Sequence, residues 1–191
     1  MVPSPQKVKD ALHERLLGHL THPDPAYQAL LQEYPSRGGK TLRGLLVVYA
    51  GLAHGATLEA SLWAGTALEL FQNWVLIHDD IEDGSEERRG RPALHRLYPM
   101  PLALNAGDAL HGEMWGLLIR GLKEGLLGPE VLAEFHQVVH RTAYGQHLDL
   151  LWTLSGRLDL TPEDYLHLVA HKAAYYTAVA PLRLGALLSG K

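Results

Sequence analysis

Cysteine is absent from the 191 residues, which excludes a disulfide framework, a thiolate nucleophile and any cysteine-ligated zinc or iron–sulfur centre. Stability must come from packing. Isoleucine and valine are scarce, 3 and 10 against 38 leucines, a balance that favours helix over the β-branched residues of sheets. No run of eighteen apolar residues is present to span a bilayer, and Met1-Val2-Pro3-Ser4-Pro5 lacks the basic start and apolar stretch of a signal peptide. Cationic excess is missing too: 17 Lys and Arg stand against 21 Asp and Glu, a net charge of -4 with 12 His neutral. That balance argues against nucleic acid and polybasic membrane binding and leaves small molecules or proteins as partners. A cytoplasmic protein is expected. With 47% hydrophobic and 20% charged residues, the chain can bury a core as one domain.

The periodicity predicts an all-α fold of long antiparallel helices. Val8, Ala11, Leu12, Leu16 and Leu20 form one stripe of a helix from Gln6 to Leu20. His22-Pro23-Asp24-Pro25 breaks it, a weak short helix follows, and Pro35 to Gly39 reads as a loop. Further helices are expected over about 41–53, 57–83, 101–122 and 130–154, with a charged loop over 84–92. Thr161-Pro162-Glu163-Asp164 is a helix start, with Thr as N-cap and Pro at the first position, and this last helix is expected to kink at Pro181.

The most informative stretch runs from Gln72 to Asp83 and ends His78-Asp79-Asp80-Ile81-Glu82-Asp83, with Arg88-Arg89-Gly90 soon after. Asp79 and Asp83, four apart, share one helix face, and Gln72, seven before Asp79, lies on it too. Like charges at this spacing destabilise a helix by roughly 0.2–0.5 kcal/mol per pair, and these sit at the negative end of the helix dipole. The preceding turns are apolar almost all round, so the acids emerge from a buried element. Carboxylates on successive turns suit Mg2+, which takes one or two of them together with substrate phosphates, and the arginines can grip phosphate oxygens bidentately.

Gly38-Gly39-Lys40-Thr41-Leu42-Arg43 is a second candidate anion site, with glycines at a helix start flanked by two cations. It is not a nucleotide P-loop, because Tyr34 stands where that motif needs glycine and no strand precedes it. The pairs His136/His140 and His167/His171 each have metal-clip spacing, but no Glu or third His completes a hydrolase pattern, and solvated or hydrogen-bonded histidines are the expectation.

Together these segments resemble the trans-prenyltransferases, the polyprenyl diphosphate synthases that join isopentenyl diphosphate to an allylic diphosphate. The resemblance covers the whole chain and rests on G-G-K-x-x-R at Gly38 to Arg43, D-D-x-x-D at Asp79 to Asp83, R-R-G at Arg88 to Gly90, G-D at Gly107-Asp108, G-Q-x-x-D at Gly145 to Asp149, and Lys172. It implies an isoprenoid-synthase-type bundle around a central cavity, usually a homodimer, making short products such as farnesyl or geranylgeranyl diphosphate. By position, Asp79 and Asp83 would hold Mg2+ with Asp80 supporting. Arg88 and Lys172 would bind the allylic diphosphate, while Lys40, Arg43, Gln72 and Arg89 would bind isopentenyl diphosphate. Gln146 and Asp149 would line the reaction centre. Trp74, with Val75 beside it, would limit tail length, although from the residues alone Trp74 is equally an ordinary core tryptophan.

Two departures stand out. Lys172 is followed by Ala173 where the family usually has Thr, and the family's second aspartate-rich motif is absent before Lys191. The single domain therefore reads as the N-terminal, substrate-gripping part of a prenyltransferase. The alternative is a non-catalytic prenyl-diphosphate-binding subunit or fragment that modulates a partner. A truncated bundle is also expected to expose an apolar face.

Overall fold

Local signals start most of the helices. In the computed structural model, which describes residues 2–190, Ser4 caps α1 (Pro5–His19) and Asp24 caps α2 (Pro25–Ser36), where its carboxylate accepts from the amides of Ala26 at 2.9 Å and Tyr27 at 3.2 Å. After α3 (Leu42–His54), the hydroxyl of Thr57 caps α4 (Leu58–Glu82) by accepting from Ala60 at 3.1 Å. A four-residue helix, α5 (Leu94–Leu97), leads into α6 (Met100–Lys123) and α7 (Pro129–Leu154). Thr161 and Asp164 form a reciprocal capping box at the head of α8 (Pro162–Val169).

Three expectations need correction. The break placed at Pro35 comes two residues later: α2 is a full three-turn helix that buries Leu30, Leu31, Tyr34 and Pro35, and packing outweighs the local break. Within the charged loop, β1 (Glu87–Arg88) and β2 (Arg91–Pro92) pair antiparallel. Arg89 and Gly90 between them both have positive φ, 57° and 72°, the conformation a two-residue hairpin turn requires. The break at Pro181 is spread along the chain, for α8 runs into a π-helical segment, Ala170–Val179, and then α9 (Ala180–Leu187). Proline has no N–H to donate and crowds the preceding turn, and the wider winding lies just before it.

The core is all-helical, as the leucine excess predicts. α4 is its axis, packed by α1, α2, α3 and α6. Leu68, Leu70, Phe71 and Ile77 of α4 meet Leu110, Met114 and Leu117 of α6, and Phe135 and Val138 of α7 extend the same cluster. α7 lies along the π-helical segment, and α9 packs on α3. No helix is long and apolar enough to cross a membrane among the described residues. Apolar side chains at the end of α7, in the segment that follows it and along α8 are exposed, including Leu154, Leu158, Tyr165 and Leu166.

Candidate active site

α4, α7 and the π-helical segment enclose a cavity of about 360 Å3. Its inner part is apolar, walled by Phe71, Trp74, Val75 and Leu76 of α4 and Val139 of α7, and its mouth carries Asp79, Glu82, Gln146, His147 and Lys172. An apolar chamber with charge at one end suits an amphiphile, with the tail inside and the anionic head at the rim.

The mouth gathers residues far apart in sequence. The Nζ of Lys172 lies 3.3 Å from Asp79 Oδ1 and also donates to Asp149 Oδ2, so one ammonium joins α4 to α7. Burial opposes that charge, but the hydrogen bond Lys172 donates to Asp149 and the charge of Asp79 outweigh it and hold the Lys172 pKa above its ordinary value. Gln146 Nε2 donates to Glu82 Oε2 at 2.7 Å across the same rim. Close approach here depends on Gly145: a Cβ at that position would meet the backbone N of Lys172 and stand 2.5 Å from its Cα.

The neighbouring carboxylates divide into two roles. Asp79 and Asp83 are both accessible, and the Asp83 carboxyl is pushed up by burial first and by the charge of Asp79 second. A cation between them would relieve that repulsion, and hard carboxylate oxygens on successive turns fit Mg2+. Among the described residues no group of three or more acidic or histidine side chains is arranged to hold a metal alone, so part of the coordination shell would come from ligand and water, as Mg2+ prefers. Asp80, expected to support the other two, is different and is turned into the core. It is 1% exposed, both its oxygens accept from Arg88 Nε at 3.0 Å, and Oδ2 also accepts from Tyr34 Oη at 2.6 Å. Tyr34 in turn accepts from the Leu94 amide at 2.9 Å, so Asp80 ties α2, the ribbon and α5 to α4. Arg88 is thereby committed mainly to Asp80, with Nη2 3.7 Å from Asp79, close enough to face the mouth.

The residues expected to grip a second diphosphate form a separate group. Gly38, Gly39 and Thr41 all have positive φ, at 69°, 150° and 52°, so the chain turns sharply before α3. The guanidinium carbon of Arg89 fills the space a Gly39 side chain would take, 3.2 Å from the Cβ position. Arg89 also donates to the Tyr34 carbonyl at 3.3 Å. Arg43 lies over the Tyr176 ring, 4.4 Å from its centroid, and donates to Thr177 Oγ1 at 2.8 Å. Gln72 is buried with Oε1 unpaired, and Lys40 is exposed. The pocket between Gly39, Glu69, Asn73 and Arg89 holds only about 30 Å3, room for about one water.

Sequence reasoning missed Tyr34, Glu82, Glu69 and Thr177. Glu82 was visible inside the acidic motif, but Glu69 carries no motif signal. Its carboxylate accepts from the Gly44 amide at 2.9 Å, with Arg43 and Arg89 as the cations nearest its charge, and burial pushes its pKa up. Within the histidine pairs, His136 and His140 stack, and His171 Nδ1 lies 2.8 Å from the His167 carbonyl.

Comparison with known proteins agrees with this geometry. The chain is 33% identical over 168 residues to the geranylgeranyl diphosphate synthase of Sulfolobus acidocaldarius, a match covering 86% of this chain and 49% of that protein. It is 31% identical over 182 residues to farnesyl pyrophosphate synthase 2 of Arabidopsis thaliana, covering 90% and 53%. Among solved structures, a geranylgeranyl pyrophosphate synthase superposes with a TM-score of 0.89 at 25% identity, over 99% of this chain and 57% of that one. A geranyltranstransferase of Thermotoga maritima gives 0.88 at 27% identity, over 98% and 69%. The chain thus spans about half the length of the curated relatives it matches. With the polyprenyl synthetase family model matching residues 24–191 and the helical architecture shared with solved synthases, the chain belongs to the polyprenyl synthetase family.

Proposed function

We propose that the protein is a short-chain prenyltransferase that joins isopentenyl diphosphate to an allylic diphosphate, and that these residues supply its substrate grip. The observation that carries this reading is one cavity with an apolar interior and a rim where Asp79, Lys172, Arg88 and Gln146 converge. Asp79 and Asp83 are the residues that would hold Mg2+. A Mg2+ held there would supply charge neutralisation for the pyrophosphate leaving group. Lys172 and Arg88 add fixed positive charge at the same rim, oriented by Asp149 and Asp80, and no reorganisation is needed when the C–O bond ionises. The apolar wall keeps water from the allylic centre. Lys40, Arg43, Gln72 and Arg89 are the residues that would hold the second diphosphate. As the family resemblance implies, proton loss would fall to the released pyrophosphate.

The test is incubation of the 191-residue protein with Mg2+, isopentenyl diphosphate and geranyl or farnesyl diphosphate, with products resolved by chain length. Turnover defeats the alternative of a non-catalytic prenyl-diphosphate-binding subunit. Binding without turnover that a longer chain restores to turnover supports a substrate-gripping part of the enzyme, binding that no longer chain converts to turnover supports the binding subunit, and absence of binding removes the proposal.

Three results follow at this site. Asp79→Asn and Asp83→Asn should each weaken Mn2+ or Mg2+ binding in the presence of pyrophosphate by roughly 10- to 100-fold, measured by calorimetry, since a ligand charge is lost. Because the Asp83 carboxyl is raised, protons compete with metal at a higher pH than for an ordinary aspartate. Affinity should therefore decline on acidification earlier in the wild type than in Asp79→Asn, where the neighbouring charge is gone. Trp74→Ala should lengthen the tail the cavity accepts, read by product distribution. An unchanged distribution removes Trp74 from the account.

A further inference from the structure

Trp74 is the largest side chain in the apolar wall, five residues before Asp79 on α4 and so about 7.5 Å deeper along the helix. A lone tryptophan there could swing about its side-chain torsions, and its own Nε1–H has no partner to stop it. What holds the ring is a stack. The imidazole of His111 on α6 lies 4.0 Å from the Trp74 ring, centroid to centroid, with the planes only 17° apart. Phe71 and His78 meet the same ring edge-on at 5.6 Å and 6.0 Å, so neither supplies a second parallel plate.

His111 is itself oriented. Trp115, one turn on, donates its Nε1–H to His111 Nε2 at 2.9 Å. An indole nitrogen can only donate, so Nε2 must carry the lone pair, and the imidazole is neutral with its proton on Nδ1. Burial and the neighbouring His78 also favour the neutral form, against the opposing charge of Asp108. The side chains of Trp74, His111 and Trp115 are therefore linked by one stack and one hydrogen bond, and two of the three lie on α6, outside every motif at the cavity mouth.

We infer that His111 is the positioning residue that sets how deep a prenyl tail can reach, by clamping the Trp74 ring across the end of the cavity, with Trp115 fixing the imidazole plane. This rests on the cavity being the tail site. The ring alone is not the stop; the stop is the ring held flat by the imidazole.

The experiment measures binding of pyrophosphate and of geranyl, farnesyl and geranylgeranyl diphosphates, each with Mg2+, by calorimetry, and records near-ultraviolet circular dichroism of the same samples. In His111→Ala the preferred tail should lengthen by one five-carbon unit, and the affinity ratio of the longer over the shorter ligand should rise about tenfold. Pyrophosphate affinity should not change, and the stacked-tryptophan signal should weaken. Trp115→Phe should shift preference in the same direction by less. His111→Phe restores a flat plate and should return the preference towards wild type, which also guards against a fold defect in the alanine variant. An unchanged preference in His111→Ala, or a wild type that binds prenyl diphosphates without regard to tail length, overturns the clamp while leaving diphosphate recognition intact. A wild type that binds pyrophosphate but no prenyl diphosphate overturns both the clamp and the tail site.

Discussion

Gly145→Ala is expected to destabilise the protein by about 3 kcal/mol and to weaken diphosphate binding roughly tenfold, measured by urea unfolding and by calorimetry with pyrophosphate and Mg2+. The added methyl would meet backbone atoms, the N and Cα of Lys172 and the carbonyl carbon of His171, the last at 2.7 Å. A flexible side chain could rotate out of the way; a neighbouring helix backbone cannot, so α7 and the π-helical segment must part. The displacement acts on the ion pairs that span the gap, because the Lys172 ammonium reaches both Asp149 and Asp79 only while the two backbones touch. Unfolding and binding should therefore change together. A stable variant with normal affinity would show that the contact tolerates separation and that Lys172 is placed by other means.

Asp80→Ala should cost a comparable amount, about 3 kcal/mol, by a different route. Removing this 1% exposed carboxylate leaves the part-buried Arg88 guanidinium without its main partner and takes the acceptor from the buried Tyr34 hydroxyl. Asp79→Ala, one residue away, should change stability by less than about 1 kcal/mol, since its partners Lys172 and Arg88 remain partly solvated and keep other contacts. Its effect should appear in metal binding instead. The pair of denaturation curves separates scaffold from chemistry within two adjacent aspartates. If Asp80→Ala unfolds like the wild type, the Tyr34–Asp80–Arg88 network does not hold the ribbon to the bundle.

That pair also shows where sequence reading stops. Successive residues on a helix point about 100° apart, so Asp79 and Asp80 cannot both face the cavity. Which of the two turned inward to the core depended on Tyr34, 46 positions earlier, a residue that entered the sequence argument only as the wrong amino acid for a P-loop. Similarly, the glycine-rich turn before α3 was readable as a cationic helix start. The filling of Gly39's empty side by Arg89 was not, since it brings together residues 50 positions apart. Pro35 misled because a local break signal is weaker than the burial of Tyr34 and Leu31 beside it.

Composition and periodicity by themselves determined the helical class, most helix starts and the absence of any cysteine chemistry. Motif order pointed to the family, and the resemblance, not the spacing, implied that Gln146 and Asp149 face the acids of α4. These properties are local or short-range: caps, apolar stripes and i to i+4 spacing act within a few residues. Only the tertiary structure decided which carboxylates remain free to bind a cation, how Lys172 joins two helices, and that His111 and Trp115 stand behind Trp74. Each of those depends on contacts between helices, where one missing side chain or one shared proton sets the geometry and no spacing along the chain records it.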